Sequence, residues 1–420
     1  MKSPVHFRAL AVIVALAPLL LHCGGPQTTT SAPPTGAAPA SVAPPAQAGP
    51  SAAPVLAPVA KSDAGAPIPA SITKSAFGNV DGKEVNLYVL TNAKGLVMKV
   101  TNYGAIVTEF HVPDRSGKFS DIVGGYENLD GYLRKTPYFG ATIGRVANRI
   151  TNGRFQLEGK TYQLATNDPP NHLHGGKKGW DKVVWDVVAT NDTPQGPTIK
   201  FTHLSKDGEE GYPGDVTASV TYALTNDNEF KIDMEATTDK TTIINMAHHG
   251  YWNLGGYDSG SIADHELTLY ADKYTPGAPV VANGVIKSVK GTPFDFTKPK
   301  PIGKDLAAVI IKGNPAPGYD HNFVVNGDPH ALRLVAKVKD PRSGRVMTLE
   351  GDQPGVMFYA GLFLDGTITG KGHVYQRYDA FCMETQKFPN SINVPAWKNE
   401  VVLKPGQTYK HVMIHRFTIE

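Results

Sequence analysis

From Ser71 onward, hydrophobic and polar residues alternate along many short runs that are rich in Val, Ile, Thr, Tyr and Phe. Gly, Asn, Asp and Pro separate these runs, and alternation with a period of two is typical of strands that bury one face. Val216–Leu224 and residues 230–236 alternate on either side of the turn sequence TNDN, which predicts a β-hairpin. Long stretches with helical periodicity are absent. We therefore expect an all-β protein in which two packed antiparallel sheets share one core.

The N-terminal segment has a different pattern, which is that of an exported protein. Lys2 and Arg8 precede an apolar stretch over residues 9–21, an arrangement typical of a secretory signal and too short for a comfortable membrane span. The sequence LLHCG around Cys23 is similar to a bacterial lipobox, although His22 stands where a small residue is usual. We therefore expect a signal peptide over residues 1–22 and lipidation of Cys23. The protein would then be a periplasmic or outer-membrane-anchored bacterial lipoprotein, with ordinary secretion as the alternative.

Residues 23–70 consist almost wholly of Pro, Ala, Gly, Ser and Thr. Such a composition cannot bury a hydrophobic core, so we interpret this segment as a disordered tether. It would connect the lipid anchor to a single β domain over residues 71–420.

Charge and cysteine content narrow the range of partners. The formal net charge is +3, from 41 basic and 38 acidic residues without long runs of one sign. This balance gives no reason to expect a nucleic acid partner, and it favours a neutral small molecule, with membrane contact only through the anchor. Cys23 and Cys382 are the two cysteines, so we expect neither a disulfide framework nor a cysteine metal site.

Five segments place His, Asp, Glu, Arg and Asn among glycines and aromatic residues, where a binding site is most easily built. They are GRVANRI (144–150), NHLHGG (171–176), AHHGYWNLGG (247–256), GYDHNF (318–323) and FCMETQKFP (381–389). Tyr251, Trp252, Phe323 and Phe388 offer apolar surfaces beside directional hydrogen-bonding groups. This mixture suits a sugar, whose ring faces are apolar and whose hydroxyls need donors and acceptors.

Taken together and in this order, these segments resemble the aldose 1-epimerase (galactose mutarotase) family. The resemblance extends from TNYGAIVTEFHVPDRSGKFSDIVGGYENLDGYL through PYFGATIGRVANRITNGRF, DGEEGYPGDV and PGVMFYAGLFLDG to LKPGQTYKH, which covers essentially all of residues 71–420. It implies the large antiparallel β-sandwich called a supersandwich. It also implies an isomerase that interconverts the α and β anomers of free hexoses such as glucose and galactose, without a metal or another cofactor.

The resemblance assigns roles to individual residues. The family's proton donor aligns with His249 in HHGYWN, and its proton acceptor aligns with Glu384 in CMETQ. Positions that bind the sugar match Asn148, Arg149, His174, Tyr251 and Asp320.

The adjacent histidines cannot both serve such a site if their segment is extended, because successive side chains of a strand point to opposite faces. We therefore expect His249 to face the sugar and His248 to have a surface or orienting role. As an acid, His249 would have to be protonated near neutral pH. We expect a nearby carboxylate, such as that of Asp320, to favour the imidazolium.

Three alternatives remain open at the level of sequence. The spacing of His172 and His174 would allow a metal site of the cupin kind, although the glutamate that such sites commonly carry a few residues later is missing. The same fold could serve a non-catalytic carbohydrate-binding lipoprotein. It could also serve an enzyme for phosphorylated hexoses, which would need an added basic cluster at its pocket. In addition, Met357 replaces a glutamine that is often found in the family's PGVQFY segment, which leaves the preferred sugar open.

Overall fold

The computed structural model describes residues 69–134, 136–277, 281–311, 313 and 316–420. The signal peptide, Cys23 and nearly all of the predicted tether lie outside the described residues. None of the helices that the structure describes is long and apolar enough to cross a membrane.

Strands dominate the described part of the chain, and the pairings between them are antiparallel. The strands before residue 240 are β1 (Ser71–Val80), β2 (Lys83–Thr91), β3 (Val97–Thr101), β4 (Ile106–Pro113), β5 (Phe119–Asp121), β6 (Ala141–Ile143), β7 (Arg149–Ile150), β8 (Arg154–Leu157), β9 (Lys160–Gln163), β10 (His172–Leu173), β11 (Asp186–Thr193), β12 (Gly196–Ser205), β13 (Val216–Leu224) and β14 (Glu229–Thr238).

The later strands are β15 (Thr242–Ile243), β16 (Ala247–His249), β17 (Glu266–Leu269), β18 (Lys273–Thr275), β19 (Lys287–Ser288), β20 (Lys300–Pro301), β21 (Asp320–Val324), β22 (Arg333–Lys339), β23 (Arg345–Gly351), β24 (Gly355–Tyr359), β25 (Ile368–Gly370), β26 (His373–Tyr375), β27 (Cys382–Gln386), β28 (Val402–Leu403) and β29 (Tyr409–Ile419). The helical elements are short. They are α1 (Leu129–Leu133) and 3-10 turns at Thr151–Gly153, Trp180–Lys182, Glu209–Gly211, Ile262–Asp264, Ile302–Ala308, Ser391–Asn393 and Lys398–Glu400.

Three sheets contain most of the strands. A five-stranded sheet has the order β1-β2-β3-β4-β5, a nine-stranded sheet has the order β11-β12-β13-β14-β29-β23-β22-β17-β20, and a second five-stranded sheet has the order β19-β18-β21-β24-β27. The pairing of β13 with β14 confirms the predicted hairpin, and Asn228 in its turn has a φ of 62°, which asparagine tolerates well.

The three sheets share one hydrophobic core. Strands β13 and β14 bury alternate residues, and the largest buried cluster takes Phe110 from β4, Phe230 from β14 and Phe358 from β24. The rings of Phe110 and Phe230 lie 5.7 Å apart. Burying one such side chain contributes about 1.5–3 kcal/mol, so this cluster is the main reason why the sheets stay together. The prediction of an all-β sandwich is confirmed, but three sheets share the core where the sequence predicted two.

The second five-stranded sheet positions part of the polar site. In β21, β24 and β27, Asp320 lies opposite Tyr359, and Phe358 lies opposite Met383. Phe358 and Met383 belong to the shared core. Because side chains alternate along a strand, the other face of these strands presents Asp320, Tyr359 and Glu384.

Candidate active site

One cavity, of about 470 Å³, is lined by all seven residues to which the resemblance assigns catalysis or sugar binding. This volume suits a small ligand such as one sugar ring. The seven residues come from distant parts of the chain: His249 ends β16, Asp320 begins β21, Glu384 lies in the middle of β27, and Arg149 begins β7. The other three are Asn148, His174 and Tyr251.

The two adjacent histidines point to opposite faces of β16, as predicted. The ring of His249 stacks on that of Tyr251 at 5.2 Å and lines the cavity. The ring of His248 packs instead in the core, edge-on to Phe230 at 5.4 Å and near His415. His248 is 1% exposed, and neither of its ring nitrogens has a hydrogen-bond partner among the described residues. A surface role for His248 is therefore wrong, because both faces of this strand are covered.

His249 and Glu384 form a buried acid–base pair. Nε2 of His249 lies 3.6 Å from Oε1 of Glu384, and the two side chains are 6% and 3% exposed. Burial lowers the pKa of His249 to about 4. Burial, together with the nearby Asp320, raises the pKa of Glu384 to about 8, while Arg149 acts in the opposite direction. At neutral pH the proton of the free site therefore resides on Glu384, and His249 is neutral.

The expectation that a carboxylate keeps His249 protonated is thus wrong for the free site. Loss of solvent disfavours the charged form of every group in the cavity, and Asp320 is no exception, since burial raises its pKa as well. The pair nevertheless holds one transferable proton between about pH 4 and pH 8. Moving that proton from Glu384 to His249 converts a neutral pair into an ion pair of the same total charge.

Arg149 is fixed at the cavity wall by an ion pair. Its Nε donates to Oδ2 of Asp168 at 2.6 Å. Burial alone would lower the pKa of Arg149, but the carboxylates of Asp320 and Asp168 outweigh burial and raise it. The guanidinium is therefore charged, and its terminal nitrogens can donate to sugar oxygens.

His174 is held in one tautomer by Asn148. The backbone N–H of Asn148 donates to Nδ1 of His174 at 3.2 Å, and the backbone N–H of His174 donates to the carbonyl oxygen of Asn148 at 3.1 Å. Burial lowers the pKa of His174 well below its usual range, so the ring is neutral. Because Nδ1 accepts a hydrogen bond, the ring proton lies on Nε2, and His174 offers an N–H donor to a hydroxyl group.

Asn148 and His174 adopt a backbone conformation that is uncommon for residues other than glycine, with φ of 60° at Asn148 and 48° at His174. Such conformations cost energy and cluster at functional sites.

Three side chains of the cavity lie close enough together to bind one metal ion. Ligand atoms of His174, His249 and Glu384 all lie within 4.8 Å of one another, and zinc accepts two imidazoles and a carboxylate. A zinc ligand, however, must offer a lone pair. Because the proton of His174 lies on Nε2 and the lone pair on Nδ1 is used by Asn148, His174 fits a metal poorly and a hydroxyl well.

The two-histidine metal site suggested by the spacing of His172 and His174 does not form. Nδ1 of His172 donates to the carbonyl oxygen of Ala165 at 2.7 Å, and its Nε2 accepts from the hydroxyl of Tyr212 at 2.7 Å. The positive φ of His174 breaks the strand alternation after Leu173, so the two imidazoles do not share a face.

Of the four aromatic residues expected to contact a ligand, Tyr251 alone lines the cavity. Trp252 and Phe323 belong to the shared core, and Phe388 packs edge-on against Trp397 in a separate cluster. The position of Trp252 follows from the alternation of side chains in an extended segment, because Trp252 directly follows Tyr251 and therefore faces the other way.

Three aromatic residues that sequence reasoning missed do line the cavity. The ring of Tyr138 lies 4.7 Å from that of His174, and Tyr359 stacks on Phe363 at 6.1 Å. Phe363 is 44% exposed at the rim. The segments PYFG and FYAGLF carried the available signal, since each places aromatic residues beside glycine in a stretch that resembles the family.

Met357, which replaces the family's usual glutamine, does not line the cavity. It lies directly opposite Glu384 in the pairing of β24 with β27 and packs against Ile311. Its apolar side chain therefore adds to the dry surroundings that raise the pKa of Glu384.

Among the described residues, the basic side chains that line the cavity are Arg149, Lys177 and Lys182. Arg149 is paired with Asp168, and Lys182 is paired with the buried carboxylate of Asp181. Two of the three cations thus already have carboxylate partners, which favours a neutral sugar over a phosphorylated one.

The chain is similar to known proteins along nearly all of the described residues. The family model described as Aldose 1-epimerase matches residues 86–416. Galactose mutarotase from Rattus norvegicus is 41% identical over 355 residues, which cover 83% of this chain and 99% of the relative. Aldose 1-epimerase from Escherichia coli (strain K12) is 33% identical over 345 residues, which cover 81% of this chain and 97% of the relative.

Solved structures agree with the sequence comparisons. Galactose 1-epimerase from Lactobacillus acidophilus NCFM has a TM-score of 0.72 at 27% identity, covering 83% of this chain and 99% of that one. A GalM/aldose epimerase homologue from C. elegans has a TM-score of 0.70 at 27% identity and the same coverage.

Proposed function

The chain belongs to the aldose 1-epimerase family and is an isomerase, and we propose that it interconverts the α and β anomers of free hexoses such as glucose and galactose. The observation that carries this proposal is the buried pair of His249 and Glu384, which face each other at 3.6 Å in a cavity of suitable size for a sugar ring. Such a pair supplies the two proton transfers that the reaction requires.

Anomer exchange breaks the bond between C1 and the ring oxygen, rotates the aldehyde and closes the ring on its other face. In ring opening, Glu384 takes the proton of the C1 hydroxyl while His249 gives its proton to the ring oxygen. In ring closure, Glu384 returns a proton to the aldehyde oxygen while His249 takes the proton of the C5 hydroxyl. The site ends in its starting state, and each positioned transfer contributes about 10²–10⁴-fold to the rate.

The bound sugar must shift the proton of the pair from Glu384 to His249 before ring opening. In the free cavity, burial favours the neutral pair. Hydroxyl groups of the sugar that donate to the carboxylate would stabilise its charged form and so favour the ion pair. The charged Arg149 assists, because it already lowers the pKa of Glu384.

The remaining cavity residues would orient the sugar. Arg149 and Nε2 of His174 donate to oxygens, and Asp320 accepts from hydroxyls or, when protonated, donates to them. The ring of Tyr251 supports His249 by stacking. Holding the sugar in one pose matters because both proton transfers depend on alignment at C1 and at the ring oxygen.

The paired protonation states predict the alkaline side of the pH–rate profile. Because the pKa of Glu384 is about 8 and His249 is neutral there, the pair of His249 and Glu384 loses its transferable proton above that pH. We expect kcat/KM to be level near neutral pH and to fall about tenfold per pH unit well above pH 8. A profile that stays level to pH 10, with the protein still folded by circular dichroism, would contradict this assignment.

Polarimetry tests the proposed function directly. Freshly dissolved α-glucose and α-galactose should approach their equilibrium rotations at a rate that rises in proportion to protein concentration. The same rate with and without a chelator would agree with the fit of His174 to a hydroxyl rather than a metal. A folded protein that binds hexose but leaves the buffer rate unchanged would favour the alternative of a non-catalytic carbohydrate-binding lipoprotein.

The N-terminal sequence supports a further part of the proposal, which is export and lipid anchoring. The apolar segment before Cys23 and the Pro- and Ala-rich residues that follow it suit a protein held away from a membrane surface. The enzyme would then act in the periplasm or at the outer membrane of a bacterium.

Replacement of Cys23 by Ser tests the anchor. We expect the parent protein in the membrane fraction after expression in a bacterium with lipoprotein processing, and Cys23→Ser in the soluble fraction. The specific activity should be the same for both, because residue 23 precedes the β domain. Membrane association that persists in Cys23→Ser would count against lipidation.

A further inference from the structure

The side chain of Cys382 contacts Nδ1 of His249, the ring nitrogen that does not face Glu384. Its Sγ lies 3.6 Å from Nδ1 of His249, and Cys382 is 0% exposed. Cys382 precedes Glu384 by two residues in β27, so both side chains lie on the same face of this strand. One strand thus supplies the carboxylate that faces Nε2 of the imidazole and the sulfur that contacts Nδ1.

Among the side chains around His249, that of Cys382 is the one in hydrogen-bonding contact with Nδ1, and the backbone of His249 itself also makes a hydrogen bond with the ring. Tyr138, His174 and Tyr251 contact the imidazole through their rings, and Glu384 faces Nε2. Beyond these neighbours, the charged groups that line the cavity among the described residues are Arg149, Asp168, Lys177, Lys182 and Asp320. Apart from the backbone of His249, the hydrogen-bond partner of Nδ1 among the described residues is Sγ of Cys382.

We propose that Cys382 is a positioning residue, whose sulfur accepts a hydrogen bond from Nδ1–H of His249 and so keeps the Nε2 lone pair directed at Glu384 and the substrate. The proposal rests on the proton-transfer function argued above. In both protonation states of His249 the proton on Nδ1 stays in place, and only the proton on Nε2 moves. The sulfur contact therefore survives the whole reaction.

The chemistry of sulfur explains why a thiol suits this place. A carboxylate on Nδ1 would hold a negative charge against the ring and favour the imidazolium. The thiol is a weak acceptor and stays neutral, since burial raises its pKa well above the usual range. It can therefore orient the ring without trapping the proton on His249, which agrees with the low pKa of that residue.

The test compares Cys382→Ala with Cys382→Ser in the full-length protein. Serine retains a donor and acceptor at this position, whereas alanine removes both. We expect Cys382→Ala to lower kcat about tenfold with KM within about twofold, and Cys382→Ser to retain kcat within about threefold of the parent. Thermal melting should show both variants folded at the assay temperature.

The second readout is independent of activity. Nitrogen-15 NMR of the His249 ring should show the proton on Nδ1 in the parent and in Cys382→Ser, and a mixture of tautomers in Cys382→Ala. A parent protein with its proton on Nε2 would overturn the proposal, even if Cys382→Ala fails to fold. A folded Cys382→Ala with parental kcat and tautomer would overturn it as well. If the parent lacks anomerase activity but carries the proton on Nδ1, and Cys382→Ala shows the mixture of tautomers, the proposed function fails and the positioning role stands.

Discussion

Replacing His249 by Asn or Glu384 by Gln is expected to lower kcat about 10²–10⁴-fold while hexose binding persists. Each change removes one of the two groups that exchange a proton, and the side chains keep nearly the same shape and polarity. The remaining cavity, with Arg149 and His174, still offers donors to the sugar oxygens. Polarimetry gives the rate, isothermal titration calorimetry gives the dissociation constant, and thermal melting verifies the fold.

His248→Asn is the matched control for this experiment. It changes the neighbouring histidine in the same way, but that side chain lies in the core and faces away from the cavity. We expect its kcat within a few-fold of the parent once folding is verified. If His248→Asn abolished turnover and His249→Asn did not, the acid would have been assigned to the wrong residue. A fully active Glu384→Gln would rule out the mechanism in which His249 and Glu384 each transfer a proton.

Mild acid is expected to unfold the protein, because several buried histidines are neutral in the folded state. Burial lowers the pKa of four of them to about 4 and of a fifth to about 3; the residues are His249, His265, His321, His411 and His415. Each takes up a proton on unfolding at pH values between its folded pKa and the unfolded value of about 6.5. The contribution of each histidine to the free energy of unfolding is therefore fully present above about pH 6.5. It falls by about 1.4 kcal/mol per pH unit below that pH.

Buried carboxyls oppose this effect only in part. Burial raises the pKa of Glu384, Asp320 and Asp181, so these groups favour the folded state at low pH and work in the other direction. These three carboxyls are fewer than the five histidines. The free energy of unfolding should therefore still fall by at least about 3 kcal/mol for each pH unit of acidification. Since a domain of this kind has a total stability of about 5–15 kcal/mol, we expect unfolding between about pH 5 and pH 4.

Urea titrations at pH 5.5, 6, 7 and 8, followed by tryptophan fluorescence, measure this dependence. His415→Phe should reduce the slope by about one proton, because His415 already stacks on Phe230 at 5.6 Å in the core. His330→Gln is the control, since this side chain is 62% exposed. A free energy of unfolding that stays constant or rises from pH 7 to pH 5.5 would contradict the account of buried neutral histidines.

The strand pattern of the sequence was sufficient to predict the fold class and the hairpin of β13 and β14. Both depend on local alternation between a buried and an exposed face. Alternation was also sufficient to predict that His248 and His249 face opposite ways. It could not show how deeply His248 is buried, because that depends on Phe230 and His415, which come from β14 and β29 of the nine-stranded sheet.

The location of the proton in the site could not be predicted from the sequence either. Charge counting suggested that Asp320 would keep His249 protonated. In the folded protein, the rings of Tyr138 and Tyr251 cover His249, and desolvation outweighs the attraction of any carboxylate. The resemblance assigned roles to the site residues. Their pKa values, however, depend on neighbours in the fold that are far apart in sequence.

Exchange spectroscopy by proton NMR, on glucose or galactose at anomeric equilibrium in D₂O, tests the central claim most directly. It measures interconversion of the α and β forms without a net reaction, and it shows whether carbon-bound protons are lost. We predict exchange cross-peaks between the two H1 signals that grow with enzyme concentration, with H1 and H2 retained as protium. The cross-peaks should fall to the buffer level with Glu384→Gln. A folded wild-type protein that binds the sugar but gives cross-peaks no larger than buffer would contradict the account, as would deuterium incorporation at C2, which would indicate chemistry through an enediol.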